Sequence, residues 1–566
     1  MKDELTAAAQ RAIQKAASLP DVPVTWGLPQ QAAHGDLSTQ VALQIAKEAN
    51  MLPKEIAQAI AKQLQKVKGV ERVEVAGPGY VNVWLRPSAL LAELSATQNA
   101  CRPQEPRKGA PVIIDYCGPN IAKPLGVHHL GSHIIGQAIV NLSKHMGYQT
   151  IGWSYPGDWG TQFGKLAVAY EQWGGQKPPK DCTTEELLAL YVRFHQEAEQ
   201  DPGLEDRARA TFRRMEEGDA DLRAFWKDVV SVSQRSLEAL YERLHISIDI
   251  VTGESFYEEK MQPILEEGIK KGVFKEGEGG SLIVEFSEES GLPPFLVRKS
   301  DGSTLYSTRD LAMIRYRLDT YHPQALYYVV DVAQSLHFKQ LEATCRQLRW
   351  DLPEFEHTVF GRMRFKDASM STRKGNVLRL EEVLDEAVVR AAAVIKEHGD
   401  QVQAEDPDTL AEMMGIGAVA YGILSQNRKQ DIVFDWAKML SFDGNSAPYL
   451  QYTHARACSV LRKAGSAAGI PMPADVAELS AHERTLINTL LQFPHVLENA
   501  CGERMPHLLT NYLFSLCQEY NSFYNTEPIL QAEEPQRSLR LALTAHVSSV
   551  LKSGAELLTI RVPDFM

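Results

Sequence analysis

The chain places IDYCGPNIAKPLGVHHLGSHIIGQ at residues 114–137 and PGDWGTQFG at residues 156–164. The first stretch predicts a buried strand, then a turn rich in glycine, proline and asparagine, and then a helix opening around His128 and His129. A helix N-terminus presents unpaired N–H groups and a partial positive charge, which suits a phosphate. Lys123 and His129 therefore predict a cradle for nucleotide phosphates. The fragment fits equally well an ordinary strand, turn and helix with surface histidines.

The order PNIAKP-x-x-V-x-HL-x-S, followed by GDWGTQFG, resembles class I aminoacyl-tRNA synthetases and, within them, the arginyl-tRNA synthetases. Two departures stand out in the His-x-Gly-His motif of the family. Gly126 occupies the place of the first histidine, and His128 replaces a glycine that packs closely. Gly131 stands where an arginine often follows His-Leu. The resemblance carries over only His129 as a phosphate-side histidine and leaves open whether His128 replaces the missing one.

Composition, charge and cysteines place the chain among globular proteins. Of its 566 residues 44% are hydrophobic and 23% charged, and no apolar run approaches the roughly 20 residues that span a bilayer. The acidic N-terminus does not resemble a secretion signal. Seven scattered cysteines without a C-x-x-C pair predict reduced thiols, no zinc and a cytoplasmic protein. A net charge of −13 argues weakly against non-specific nucleic-acid binding but leaves recognition of one RNA open.

Hydrophobic periodicity predicts three domains along the chain. Residues 1–105 predict an α+β unit with two alternating strands. Residues 106–404 alternate short apolar strands and helices, with a helical insertion at about 182–245 and a hairpin insertion at about 270–300. Residues 405–566 predict a helical bundle. The fold class implied by pattern and resemblance is a Rossmann-like α/β class I synthetase catalytic domain with an N-terminal α+β domain and a C-terminal all-α bundle.

Three central segments supply acceptors for a planar guanidinium, which is permanently charged. TGESFY places Glu254 in a turn. LYSTRDLA places Tyr306 and Asp310 four apart, on one face of a helix that begins there. YYVVDVAQSLHF carries Gln334 and His337 at the exit of a strand, where open α/β sheets bind ligands.

Read alone, each of these residues also has a structural explanation. An aspartate after Thr-Arg is more often a cap or an ion-pair partner, and a glutamate on a turn is usually solvated. The resemblance implies that an arginine substrate is surrounded by Asn120, Glu254, Tyr306, Asp310 and Gln334. Such a site discriminates by roughly 10⁴ or more, because a wrong ligand leaves buried groups unpaired.

A second basic loop, SMSTRKGN at residues 369–376, predicts a segment able to close over a triphosphate. Alone it reads as a solvated basic turn. It resembles the mobile Lys-Met-Ser loop of class I synthetases, with Ser369 in place of the leading lysine, and in many arginyl enzymes a lysine at the position of Lys123 compensates. The resemblance implies ATP binding by Asn120, Lys123, His129, Met370, Ser371, Thr372, Arg373 and Lys374. Catalytic roles fall to Lys123, His129, His128, Arg373 and Lys374.

The C-terminal segment SAPYLQYTHARACSVLRKA spaces Tyr449, Tyr452 and Arg456 on one helical face, as stacking platforms beside a cation. A tyrosine stripe packed in a bundle core explains the same spacing. The segment and the closing LLTIRVPDFM resemble the anticodon-binding bundle of the arginyl family, which implicates Met566. The N-terminal AGPGYVN resembles the family's tRNA-elbow domain, which implicates Tyr80 and Asn82; both are equally explained as strand residues.

The combined interpretation is an arginine–tRNA ligase. It would use ATP with Mg²⁺ as a substrate complex, L-arginine and tRNA(Arg), as a monomer without a protein-bound metal. A non-catalytic paralogue that binds tRNA or arginine is the alternative, supported by the altered first motif. A ligase for glutamate or glutamine ranks last, because two acids would serve an anionic or neutral side chain poorly.

Overall fold

A computed structural model describes residues 1–29, 34–121, 125–366, 378–397, 406–465, 470–473 and 476–566. Within these ranges, no helix combines the length and the apolar character needed to cross a lipid bilayer.

The N-terminal unit packs helices against a small antiparallel sheet. Its strands are β1 (Leu37–Thr39), β2 (Val70–Ala76) and β3 (Tyr80–Leu85), in the order β1-β3-β2. Its helices are α1 (Lys2–Ala17), α2 (Val41–Ala49), α3 (Pro53–Leu64) and α4 (Pro87–Thr97). The predicted pair of strands is confirmed, and it turns at Gly77 and Gly79, both of which have positive φ. A Cβ on Gly79 would lie 2.9 Å from the Cβ of Pro53, so the turn packs directly on α3.

The central sheet is parallel, as predicted, with the strand order β11-β10-β4-β5-β6. These strands are β4 (Val112–Asp115), β5 (Thr150–Ser154), β6 (Ile250–Val251), β10 (Ala325–Tyr328) and β11 (Glu354–His357). The flanking helices are α5 (His129–His145), α6 (Thr161–Trp173), α10 (Glu258–Lys270), α11 (Tyr306–Tyr321) and α12 (Ser335–Gln347). The strand order reverses beside β4, so the carboxyl ends of β4 and β10 border the crevice where open α/β sheets bind ligands.

The two stretches predicted as insertions hold regular secondary structure, and their boundaries stay predictions from the sequence. The helical insertion contains α7 (Thr184–Ala198), α8 (Gly203–Glu216) and α9 (Ala220–Arg243). The hairpin insertion is an antiparallel sheet of β7 (Phe274–Glu276), β8 (Leu282–Val284) and β9 (Phe295–Arg298).

A buried ion pair ties the sheet to α11. Arg317 is fully buried and donates to the Asp115 carboxylate at the end of β4. The distance between Arg317 Nη2 and Asp115 Oδ2 is 2.5 Å. Its guanidinium also lies 4.5 Å from the centroid of the Trp153 ring. Because an unpaired charge at this depth would be costly, the pair fixes the position of α11 against the carboxyl edge of the sheet.

In the C-terminal part, the residues that the structure describes form helices and one short strand. Its helices are α13 (Leu380–Glu397), α14 (Pro407–Leu424), α15 (Trp436–Met439), α16 (Ala447–Lys463), α17 (Ala481–Leu490), α18 (Phe493–Gly502), α19 (Pro506–Thr526) and α20 (Gln536–Leu557). The strand β13 (Ile432–Phe434) pairs in parallel with β12 (Met363–Phe365), across the predicted boundary at residue 404. Two contacts dock the N-terminal unit onto this bundle, from Arg484 and Asn488 to the buried Asp36 carboxylate.

Candidate active site and RNA-facing surface

The turn after β4 brings Asn120 against the turn after β5. Asn120 forms a parallel bridge with Gly157, and the Gly157 amide donates to the Pro119 carbonyl at 2.9 Å. A Cβ on Gly157 would lie 2.3 Å from the Asn120 Oδ1 atom. The glycine of the GDWG motif therefore leaves room for the Asn120 side chain, which is exposed at the carboxyl edge of the sheet and would have to shift if a Cβ were present.

The first motif ends where α5 begins, at His129. The His129 Nδ1 atom lies 3.0 Å from the Gly126 carbonyl, so Nδ1 carries the proton and donates. The exposed His128 ring lies 4.1 Å from the His129 ring, centroid to centroid. The helix N-terminus thus presents its partial positive charge and two neighbouring imidazoles at the predicted phosphate side of the crevice.

The second motif itself lies outside the described residues, as do Lys123 and the predicted ATP ligands Met370, Ser371, Thr372, Arg373 and Lys374. The chain that follows the loop is described. The Val127 amide donates to the Leu378 carbonyl, and the Leu380 amide donates to the Leu125 carbonyl, both at 2.9 Å. These two bonds attach the chain that follows the second motif directly to the first motif.

The predicted pocket acids lie at the same edge, each held by one protein partner. The Arg309 Nη1 atom donates to Glu254 Oε2 at 3.0 Å, and the His337 Nε2 atom lies 2.7 Å from Asp310 Oδ2. The side chains of Glu254 and Asp310 are only 20% and 15% exposed. Among the described residues, the second oxygen of each acid, Oε1 of Glu254 and Oδ1 of Asp310, accepts no hydrogen bond from the protein.

Electrostatics agree with the closeness of the two acids. Burial raises the pKa of Glu254 to about 7; Arg309 lowers it and the negative charge of Asp310 raises it further. Burial likewise raises the pKa of Tyr155 well above its ordinary value, and the charges of Asp310 and Glu254 add to this rise. Tyr155 therefore lies within electrostatic reach of both carboxylates, and the cluster is a concentrated negative region.

Asp158 fixes the turn that carries Glu254. Its carboxylate accepts from the backbone N–H and from the hydroxyl of Ser255, both at 2.7 Å. A Cβ on Gly253 would lie 2.2 Å from the Asp158 Cγ atom, so only glycine fits there. The GDWG and TGES segments thus interlock, and the backbone orientation of Glu254 follows from that contact.

The other two predicted arginine ligands lie at the rim. Tyr306 is the first residue of α11, is 61% exposed, and its ring lies 5.0 Å from the His337 ring. Gln334 is the exposed N-cap of α12. Both positions border the acids through His337, which pairs with Asp310.

Sequence reasoning missed four residues of this site. Asp158 and Tyr155 lie in or beside the quoted PGDWGTQFG motif, so they were within view. Arg309 immediately precedes Asp310 in LYSTRD and gave no sign of its partner. Glu258 opens α10 and accepts from Arg309 Nε and Nη2 at 3.0 and 2.9 Å. No local pattern indicated that last contact, because its partners are 51 residues apart.

On α16 the predicted RNA-contacting residues gather around one cation. The Arg456 guanidinium lies 4.7 Å from the Tyr452 ring centroid and 5.0 Å from that of Tyr524 on α19. Asn521 accepts from Arg456 and donates to the Tyr449 hydroxyl at 3.1 Å. Tyr524, which the sequence analysis did not single out, is 38% exposed. Tyr524 is therefore the exposed member of this cluster, Tyr452 and Arg456 are half-buried beside it, and Tyr449 is half-buried against the core.

The C-terminal tail is attached to the same helix. The His454 Nδ1 atom donates to the Pro563 carbonyl at 2.9 Å, and Arg462 Nη1 donates to the Asp564 carbonyl at 2.6 Å. Met566 packs, half-buried, against the hydrophobic core. These contacts fix the end of the chain beside α16.

In the N-terminal unit the two predicted RNA contacts differ sharply. Tyr80 is 41% exposed at the start of β3, whereas Asn82 is 3% exposed and accepts from the Ser38 hydroxyl at 2.7 Å. Tyr80 offers a ring to a partner, and Asn82 offers almost no surface.

Comparisons with known proteins cover the whole chain. Family models match in three stretches: "Arginyl tRNA synthetase N terminal domain" at residues 1–85, "tRNA synthetases class I (R), catalytic domain" at 90–436 and "DALR anticodon binding domain" at 450–566. The arginine–tRNA ligase of Fusobacterium nucleatum is 37% identical over 94% of this chain and 93% of its own length. An Exiguobacterium ligase of the same name is 39% identical over 95% of both chains.

A solved structure with a similar fold is that of the Thermus thermophilus arginyl-tRNA synthetase. It superposes with a TM-score of 0.80 and 26% sequence identity, and all of both chains is covered. Fold, motif order and matched stretches agree from one end of the chain to the other. The chain belongs to the arginyl-tRNA synthetase family of class I aminoacyl-tRNA synthetases.

Proposed function

We propose that the protein activates L-arginine with ATP and transfers the arginyl group to the 3′ end of tRNA(Arg). The observation that carries the substrate assignment is a pair of carboxylates, each of which uses only one of its two oxygens in a hydrogen bond with a protein side chain. Glu254 and Asp310 each keep one oxygen that accepts no hydrogen bond from the described residues. A guanidinium is planar and presents donors in a rigid fork, so it can bridge two such oxygens.

In the first step the arginine carboxylate attacks the α-phosphorus of ATP, and pyrophosphate leaves. His129 at the start of α5 stabilises the phosphate charge through its position and the helix dipole. Asn120 lies at the same edge and contributes to binding. Lys123, Arg373 and Lys374 remain predictions from the sequence for the same task.

In the second step a ribose hydroxyl of the terminal tRNA nucleotide attacks the activated carbonyl, and AMP leaves. The protein contributes positioning and charge stabilisation, with no covalent protein intermediate. Mg²⁺ enters with ATP as part of the substrate, because such ions are held mainly by phosphates.

For the RNA, the partly exposed cluster of Tyr452, Arg456 and Tyr524 supports recognition of unstacked anticodon bases, since aromatic rings and a cation bind base faces. Met566 ends the tail that His454 and Arg462 attach to α16, and its contact with the RNA remains a prediction from the sequence. Tyr80 supports a contact with another part of the tRNA. A cytoplasmic location and a monomeric state remain predictions from the sequence, as do the domain boundaries.

The direct test is charging of mixed tRNA with each labelled amino acid and ATP. We expect arginine alone to be attached. Binding of tRNA or arginine without charging would instead support the non-catalytic paralogue. Charging with glutamate or glutamine would contradict the assignment of the two carboxylates.

A further inference from the structure

Arg309 precedes the predicted substrate ligand Asp310 but is directed at other acids. Its Nη1 donates to Glu254 Oε2 at 3.0 Å, while Nε and Nη2 donate to Glu258 Oε1 at 3.0 and 2.9 Å. The Arg309 side chain is only 13% exposed. The protein therefore holds a guanidinium of its own against the acid on which the substrate guanidinium is expected to bind.

Two arrangements keep this resident arginine from competing with the substrate. First, Glu258 receives two of the three donated hydrogen bonds and balances the charge of Arg309. Second, Arg309 uses one oxygen of Glu254 and leaves Oε1 available. Because the Arg309–Glu258 pair is neutral as a unit, the charges of Glu254 and Asp310 still attract a cationic substrate.

The charges that face Glu254 make a fixed cation necessary. They come from three neighbouring elements: Asp310 and Arg309 on α11, Glu258 on α10, and Asp158 in the segment after β5, which also carries the neutral Tyr155 phenol. Glu216, at the end of α8, faces Glu258 and Arg309 from the other side. Burial and the like charges favour the protonated form of Glu254, and Arg309 opposes them. A protonated Glu254 could not pair with a guanidinium.

We propose that Arg309, balanced by Glu258, is a positioning residue that keeps Glu254 ionised and oriented with one oxygen directed to the substrate. The proposal rests on the proposed function, because it concerns binding of arginine in the same pocket. Arg309 acts through Glu254 and touches no reacting atom.

The experiment measures the dissociation constant of L-arginine by calorimetry from pH 6 to pH 9, with the full chain and a non-hydrolysable ATP analogue. We compare the wild type with Arg309→Gln, Glu258→Gln and Arg315→Gln. Arg315 lies on the same helix and pairs at the surface with Asp319, so it is the matched control. Charging kinetics at one pH supply kcat and the KM values for arginine, ATP and tRNA.

For Arg309→Gln we expect arginine binding at pH 7 to weaken about tenfold or more, with the pH midpoint of binding moved upward and partial recovery at pH 9. At saturating arginine, kcat and the KM for ATP should stay within about threefold of wild type. Glu258→Gln should move the midpoint downward, because a negative neighbour of Glu254 is lost. Arg315→Gln should follow the wild-type curve.

Opposite results would overturn the proposal. Tighter arginine binding by Arg309→Gln would show that Arg309 competes with the substrate. Weaker binding with an unmoved midpoint would reduce Arg309 to a packing role. If Arg309→Gln fails to fold, Arg309→Lys provides the test, because lysine keeps the positive charge but lacks the forked donors of a guanidinium. The pH midpoint of arginine binding should then stay near that of wild type, while arginine binding weakens. A wild type that neither binds nor charges arginine would contradict the proposed function itself.

Discussion

The predicted amino-acid pocket and the predicted RNA-facing surface are both built from arginine, tyrosine and neighbouring polar groups. They differ in how far these side chains are exposed to solvent. In the pocket, Arg309 is 13% exposed and pairs with two carboxylates. On the surface, Arg456 lies between Tyr452 and Tyr524, and Tyr524 is 38% exposed. Charges removed from water interact strongly and tolerate no missing partner, whereas exposed cation–π contacts are weakened by water. Loss of a pocket group should therefore cost far more than loss of a surface group.

The largest effect is expected from Asp310→Asn. The change removes a buried charge that we propose to pair with the substrate cation, while it keeps the side-chain shape. Breaking one partner of a buried charged contact costs about 3–5 kcal/mol, so kcat/KM for arginine should fall about 10²- to 10³-fold. Steady-state charging measures this, and the KM for tRNA should stay near wild type. A loss below about threefold would place the substrate tail elsewhere.

On the surface, Arg456→Ala should give the next largest effect. It removes a cation that contacts two rings and binds Asn521. Stacking and cation–π contacts with single-stranded bases are worth about 1–3 kcal/mol, so the KM for tRNA should rise about 30-fold. Arginine binding should be unchanged, as calorimetry can show. An effect on arginine alone would contradict the separation of the two regions.

A pH series distinguishes the regions without mutation. Burial raises the pKa of Glu254 to about 7, so the carboxyl becomes protonated and neutral as the pH falls through that value. Arginine binding should therefore be strong above pH 7 and weaken about tenfold between pH 8 and pH 6. Glu254→Gln should bind weakly at every pH and give a flat curve. An equally flat wild-type curve would mean that Glu254 does not contact the substrate.

The smallest effect is expected from Tyr449→Phe. It removes only the hydroxyl that accepts from Asn521, while the ring remains half-buried. A single, partly exposed hydrogen bond contributes about 1 kcal/mol, so the KM for tRNA should rise about fivefold. A loss as large as that of Arg456→Ala would mean that Tyr449 itself contacts the RNA. The charging assay with varied tRNA concentration decides between these outcomes.

Several helices and strands of this protein could be predicted from local sequence patterns. The strand, turn and helix around residues 114–137 predicted β4 and the start of α5. Tyr306 and Asp310 were expected on one face if a helix began at that tyrosine, and α11 does begin there. The alternation in the N-terminal unit predicted β2 and β3. Each prediction succeeded because periodicity and turn chemistry act over a few residues.

Contacts between distant segments were beyond this reasoning. Tyr80 and Asn82 are two apart on one strand, and both were predicted to contact RNA. Only Tyr80 is exposed, because β3 is the middle strand of its sheet and Asn82 pairs with Ser38 from β1. The alternation of side chains along a strand shows which residues share a face of the sheet. It does not show which of those residues are covered by neighbouring segments.

The sequence by itself determined the order of elements, the family resemblance and the residue types that a guanidinium requires. The tertiary structure decided how those residues are used: Glu254 pairs with Arg309 across 55 residues, and Asp310 pairs with His337 across 27. The physical reason is range. Helices, strands and turns form from neighbours along the chain, whereas the ionisation and orientation of a buried acid depend on every charge that packing brings near it.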